Sequence, residues 1–178
     1  MILEEQKYPI GKFQKPDAYT SKAIAEYIAT LEAFPAKIKK EVEHLTNEQL
    51  DTQYRAGGWT VRQVVNHCAD SHINAFVRFK LALTENNPTI KPYEEGLWAK
   101  LADSETMPVA PALLTLEGLH IRWVVLIKSM TTADMKKSYF HPEQKKTIAL
   151  EEVIAIYAWH CNHHLAHITT LKKAKGWK

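Results

Sequence analysis

Apolar residues recur at helical spacing in four long stretches of this chain. In the first, Ile24, Ile28, Leu31, Phe34, Ile38 and Val42 fall three or four residues apart, which puts them on one face of an α-helix. Ser21 is placed to cap that helix, which the pattern carries to about His44. Pro35 lies inside the run, where its missing N–H and its clash with the preceding turn predict a kink. The second stretch opens on Thr60 and Gln63, a reciprocal cap, with Trp59 placed to staple onto Val64. Its stripe is Val61, Val65, Cys68, His72, Phe76, Phe79 and Leu83, ending near Thr84. The third begins at Pro108 and Pro111 and carries Leu113, Leu116, Leu119, Trp123 and Leu126 to about Met130. The fourth begins near Leu150 and shows Leu150, Ile154, Tyr157, Ala158, Cys161, Leu165 and Ile168. Gly176 fits its C-terminal stop, since glycine readily takes the left-handed conformation that ends helices.

The connecting segments have their own signals. Residues 1–19 hold Pro9, Gly11 and Pro16 without a sustained period and predict an extended N-terminal arm. Thr46-Asn47-Glu48-Gln49 is a capping box that opens one short turn through Leu50. Residues 86–93 form a loop around Pro88 and Pro92. Glu94 to Leu101 predicts a short helix anchored by Trp98, and Thr131-Thr132-Ala133-Asp134 opens another short turn. Tyr139-Phe140 and Thr147-Ile148, flanking His141-Pro142-Glu143-Gln144, predict a small hairpin before the last helix. Each half of the chain thus repeats a long helix, a short capped turn, a linker and a helix carrying histidines. Four long helices predict an all-α four-helix bundle, in which sites form between facing helices. A length of 178 residues suits one domain, 1–178.

Composition narrows the class. Hydrophobic residues make up 46% and charged residues 24%, the balance of a globular chain rather than a disordered one. A net charge of +3 argues against nucleic acid as the main partner. The C-terminal Lys172, Lys173, Lys175 and Lys178 are accounted for by the helix dipole. No uninterrupted apolar run reaches the ~18 residues of a membrane span, and no secretory signal pattern opens the chain. Cys68 and Cys161 each fall on an apolar face, as buried thiols in a reducing cytoplasm would. Cys-x-x-Cys is absent, which excludes a zinc ribbon.

The chemistry concentrates in the fourth helix. Four of the nine histidines lie between His160 and His167. Residues i and i+4 stack on one helix face, so His160 with His164, or His163 with His167, can offer two imidazoles to one ion. At about 100° per residue, His164 lies roughly 60° and His160 roughly 100° from the centre of the apolar stripe, while His167 and His163 lie farther round and lean to solvent. Periodicity therefore favours His160 and His164. A third ligand must come from a neighbouring helix, with His67, His72 and His120 as candidates. Periodicity alone favours His72, near the centre of its stripe.

Gly57-Gly58-Trp59-Thr60-Val61-Arg62-Gln63-Val64-Val65-Asn66-His67 with Ala69-Asp70-Ser71-His72 resembles the second-helix motif of the YfiT-type proteins of the DinB-like superfamily. Tyr8-Pro9-Ile10-Gly11, Arg78-Phe79-Lys80-Leu81, Trp159-His160 and His163-His164-Leu165-Ala166-His167 match as well, in the right order and over essentially the whole chain. The resemblance implies a dimeric, metal-dependent four-helix bundle whose ion is held by His67, His160 and His164. That set keeps the pair chosen by periodicity and replaces His72. One divalent ion per chain is implied, zinc or nickel by the preference of imidazole ligands.

Three histidines leave a fourth position open to water or a thiol, as in catalytic sites. The resemblance implies either a metal-dependent hydrolase or an enzyme that transfers a low-molecular-weight thiol of the bacillithiol kind onto an electrophile. A non-enzymatic metal-binding stress or interaction module is the alternative. Asp70 and Glu152 are candidates to orient a ligand imidazole or to be plain solvated charges. Arg62, Arg78 and Arg122 are candidates to bind an anionic group or to form structural ion pairs. Trp98 and Trp123 are candidates for the dimer surface. The expected partners are a small-molecule substrate and a second copy, not nucleic acid or membrane.

Overall fold

The structure is a computed structural model and describes residues 3–177. The four long helices are α2 (Ser21–Val42), α4 (Val61–Thr84), α7 (Ala110–Lys128) and α9 (Leu150–Lys175). Between and before them lie α1 (Leu3–Lys7), α3 (Asn47–Leu50), α5 (Glu95–Trp98), α6 (Ala102–Glu105) and α8 (Thr132–Lys136). Strands β1 (Ser138–His141) and β2 (Lys146–Ala149) form the antiparallel hairpin predicted before the last helix. Lys145, at φ 51°, makes the turn.

Helix α2 packs along α7 and α9, and α4 packs along the same two. The chain-order neighbours α2 and α4 therefore lie across the bundle from each other, as do α7 and α9. In an up-and-down bundle consecutive helices are side by side; here the connections over 43–60 and 129–149 carry the chain across the diagonal. The second connection is tied down at both ends. The Ile90 amide donates to the Phe140 carbonyl at 3.1 Å and the Phe140 amide to the Pro88 carbonyl at 2.9 Å, while the Leu150 amide donates to the Lys137 carbonyl at 2.8 Å. The hairpin thus runs straight into α9 and fixes where that helix begins.

The core is the set of facing stripes: Leu31, Phe34 and Ile38 of α2, Val65, Cys68 and Phe79 of α4, Leu116, Trp123 and Ile127 of α7, and Ile154, Cys161 and Ile168 of α9. Both thiols are buried and unbridged. Capping boxes at Thr46, Thr60 and Thr131 satisfy orphan amides at the starts of α3, α4 and α8. Gly176 stops α9 at φ 67°.

Several local expectations are corrected. Thr20, not Ser21, caps α2, accepting from the Ala23 amide. The N-terminal arm begins with a helical turn, α1, before it extends. The short helix predicted from Glu94 to Leu101 is the single turn α5, with α6 following as a separate turn, and Trp98 is 38% exposed, packed on Tyr93 rather than anchored in the core. Trp123 is fully buried and is no part of any outer surface. Among the described residues, α7 is the one helix long and apolar enough by composition to cross a membrane. It passes that test because both of its faces are apolar: one is core, and the other exposes Leu114, Ile121 and Val125.

Candidate metal centre

Helices α4 and α9 meet side by side, and their seam holds the histidines. His67 comes from the second turn of α4, whose start is set by the Thr60–Gln63 capping box. His160 and His164 come from successive turns of α9. His67 Nε2 lies 3.2 Å from His160 Nε2. The rings of His160 and His164 are 4.4 Å apart and those of His67 and His164 are 4.8 Å apart, centroid to centroid. One ligand nitrogen from each of the three falls within 4.8 Å of the others.

These three fit a divalent ion on their own terms. Two bonds of roughly 2.0–2.1 Å to one ion at near-tetrahedral angles leave the nitrogens about 3.2–3.4 Å apart, the separation between His67 and His160. Burial pushes the His67 imidazole down to about 4, helped by the nearby His163 and His167 rings. His160 and His164 are held well below the ordinary imidazole value, first by burial and then by neighbouring histidines. All three are neutral at pH 7, the protonation state that ligation needs. Among the described residues no carboxylate or thiolate joins the trio.

The trio sits at the wall of a cleft of about 680 Å³ that is also lined by Arg78, Tyr93, Glu95, Tyr139 and His141. The Tyr93 hydroxyl is buried beside Ser71, and burial raises its pKa, so it keeps its proton. Ser71 and Tyr157 pair across the cleft wall, Oγ to Oη at 3.2 Å, with the Tyr157 hydroxyl donating to the Ser71 carbonyl at 3.1 Å.

His72 is not in the trio. It is fully buried one layer behind it, with Nε2 3.1 Å from His160 Nδ1 and Nδ1 2.7 Å from His120 Nε2. His120 in turn places Nδ1 2.6 Å from the Leu31 carbonyl. The groups behind His160 are therefore imidazoles. Neither proposed carboxylate holds a ligand ring: Asp70 is half-buried beside Asp103, with its pKa raised to about 6 chiefly by burial, and Glu152 pairs with Lys15 at 2.6 Å.

His163 and His167 do not lean to solvent; they are 7% and 4% exposed. The N-terminal arm covers them. His167 Nε2 donates to the Lys7 carbonyl at 3.0 Å and its ring stacks on Tyr54, while His163 lies between Trp159 and Tyr8. With His164 they form a second cluster of ring nitrogens within 4.8 Å, but one built from a single helix and sharing His164 with the first. The three arginines separate too. Arg62 is a buried structural clamp, Arg122 lies over the Phe76 ring at 5.2 Å, and Arg78 alone of the three faces the cleft. Tyr93 and His141 lie in the connecting segments, where no periodicity marks a lining residue.

This four-helix bundle belongs to the DinB superfamily, whose profile matches residues 30–168. Within that superfamily the chain is 46% identical to "Putative metal-dependent hydrolase YfiT" of Bacillus subtilis, over 96% of each chain. It is 51% identical to a protein of the same designation from Oceanobacillus iheyensis, over 97% of this chain and 99% of that one. The solved structure of YfiT from Bacillus subtilis superposes with a TM-score of 0.95 at 45% identity, covering 98% of this chain and 99% of that one. That protein is described as a probable metal-dependent hydrolase with an unusual four-helix bundle topology; the diagonal placement of α2 and α4 is an unusual feature of the present chain.

Proposed function

We propose that this protein is a metal-dependent enzyme in which His67, His160 and His164 hold one divalent ion, zinc or nickel, against a small molecule bound in the adjoining cleft. The carrying observation is the convergence of three neutral imidazoles, two buried and one part-buried, from two helices, at the wall of a polar cleft. A divalent ion with three neutral ligands keeps its full charge, and so lowers the pKa of an approaching water or thiol and polarises a carbonyl.

The chain's own residues supply the rest. Arg78 gives the cleft a cation for an anionic group on the substrate. The Tyr93 hydroxyl, buried and protonated, is a donor for developing negative charge. Trp59, packed on His67 at 4.6 Å, and the arm over His163 keep bulk water from the outer sides of the ligand rings. Hydrolysis is supported by the names of the relatives. Thiol transfer is supported by the open fourth position, which suits a thiolate as well as water. The ion reading is tested by metal analysis of the purified chain. About one ion per chain is expected, lost in His67→Ala, His160→Ala and His164→Ala and kept in His163→Ala. The two chemistries separate by what is consumed: a low-molecular-weight thiol in step with an electrophile, or an ester or amide with no thiol present. Turnover that survives complete chelation would sink both, and metal binding without turnover on any substrate would favour a non-catalytic module. We also propose a homodimer through the outer face of α7.

A further inference from the structure

A line of polar contacts runs away from His160 into the centre of the bundle and stops at a backbone carbonyl. His160 Nδ1 faces His72 Nε2 at 3.1 Å, His72 Nδ1 faces His120 Nε2 at 2.7 Å, and His120 Nδ1 faces the Leu31 carbonyl at 2.6 Å. The last contact fixes the direction of all of them. A carbonyl oxygen only accepts, so His120 Nδ1 carries the proton. A neutral imidazole has one N–H, so His120 Nε2 is the acceptor and His72 Nδ1 donates to it. By the same step His72 Nε2 accepts from His160 Nδ1. His160 Nε2 is then left as a bare lone pair, and it is the atom 3.2 Å from His67 Nε2. One proton per ring satisfies every link, whereas the reverse order would set two lone pairs against each other at the Leu31 end.

The sequence explains why that carbonyl is available. In an α-helix the carbonyl of residue i accepts from the amide of residue i+4. Four residues after Leu31 is Pro35, inside α2, and proline has no N–H to give. Leu31 is fully buried, so water does not replace the missing donor; His120, arriving from α7, does. Phe34 packs against both inner rings, 5.4 Å from His72 and 5.7 Å from His120 by centroid, and limits their rotation.

We propose that Pro35, His120 and His72 form a positioning relay: the carbonyl freed by Pro35 sets the proton order of the imidazole line, which holds His160 with its Nε2 lone pair turned to the metal position. Only the last link rests on the metal reading above. A metal-ligating histidine ordinarily donates its second N–H to a carboxylate, carbonyl or water, and loss of that partner costs 10–100-fold in metal affinity. Here a carbonyl serves through two intervening rings. His72 and His120 touch neither ion nor substrate and act through His160.

The test reads tautomers first. Long-range ¹H–¹⁵N correlation spectra of the metal-free, full-length protein should show the Nδ1–H tautomer at His120, His72 and His160. In a zinc competition titration, His72→Phe and His120→Phe should each weaken binding by about 10–100-fold. His72→Gln, whose carbonyl accepts from His160 and whose amide donates to His120, should recover most of the loss. Pro35→Ala restores an amide beneath the Leu31 carbonyl and should weaken binding less than His120→Phe does, because that carbonyl has two lone pairs. A proton on Nε2 of His160 or His72 in the metal-free protein would overturn the relay. So would equal losses in folded His72→Phe and His72→Gln, which would make His72 a packing group only. A wild-type chain that binds no divalent ion would remove the metal reading, and the tautomer spectra would still decide the relay.

Discussion

Arg62 stands in the first turn of α4. A guanidinium near a histidine helix suggests anion binding. In the fold it is 3% exposed and spends every arm internally. Its Nε donates to Asp51 Oδ1 at 2.7 Å, and its terminal nitrogens donate to the Met107 carbonyl at 2.7 Å and Asn47 Oδ1 at 3.1 Å. One side chain thereby ties the start of α4 to α3 and to the segment that leads into α7. Lysine keeps the charge but not the planar fork. Arg62→Lys should therefore lower stability by about 2 kcal/mol, since hydrogen bonds to charged groups contribute about 1.5–3 kcal/mol each and lysine retains some of them. Urea unfolding measures this, and the metal content should be unchanged. Intact stability with altered ligand binding would return Arg62 to the list of anion-binding groups.

At the scale of elements, the arm and α9 behave as one unit. Between Lys7 and Lys15 the arm follows one face of α9. Its carbonyls at Lys7 and Gly11 accept from His167 Nε2 and Trp159 Nε1 at 3.0 and 3.2 Å, Phe13 meets the edge of Trp159, and Lys15 pairs with Glu152. Removing residues 1–15 strips the two hydrogen bonds to arm carbonyls, about 1 kcal/mol each, together with the Lys15–Glu152 pair, and uncovers the Trp159 and His163 rings. A loss of about 3 kcal/mol corresponds to a fall in Tm of about 6–12 °C for a chain of this size, with faster amide exchange along α9; an unchanged Tm would show that the arm is not part of the folded unit. The arm also marks where sequence reading stopped. The four long helices, three caps, the hairpin and the His160–His164 pair were legible because each is a local pattern. The burial of His163 and His167 was not, because it depends on where a non-periodic segment lies. The case of His72 is different. Its central place in the stripe was read correctly, but a central histidine in this bundle meets other histidines rather than the seam. The resemblance, not periodicity, singled out His67.

For the whole molecule, the diagonal topology gives α7 two duties. Its inner face supplies Leu116, Trp123 and Ile127 to the core and His120 to the line behind His160. Its outer face carries Leu114, Ile121 and Val125, 64–69% exposed, at spacings that align them with Gly118 on one stripe. Nothing lies within 4 Å of the position where Gly118 would carry a Cβ, so a second helix can approach closely there. Arg122 over Phe76 shows that this region of α7 abuts α4, whose Ile73 and Val77 are 40% and 49% exposed. A stable dimer buries about 800 Å² on each partner, and exposed apolar surface of this kind is what such an interface covers. We therefore expect light scattering coupled to size exclusion to give twice the chain mass of 20.4 kDa. Ile121→Glu combined with Val125→Glu places two carboxylates in the centre of the stripe, where desolvation opposes association, and should yield a monomer. Both side chains point away from the α4–α9 seam, so the monomer should keep its ion. A wild-type chain that runs as a monomer at micromolar concentration, or a double variant that remains dimeric, would move the interface off α7.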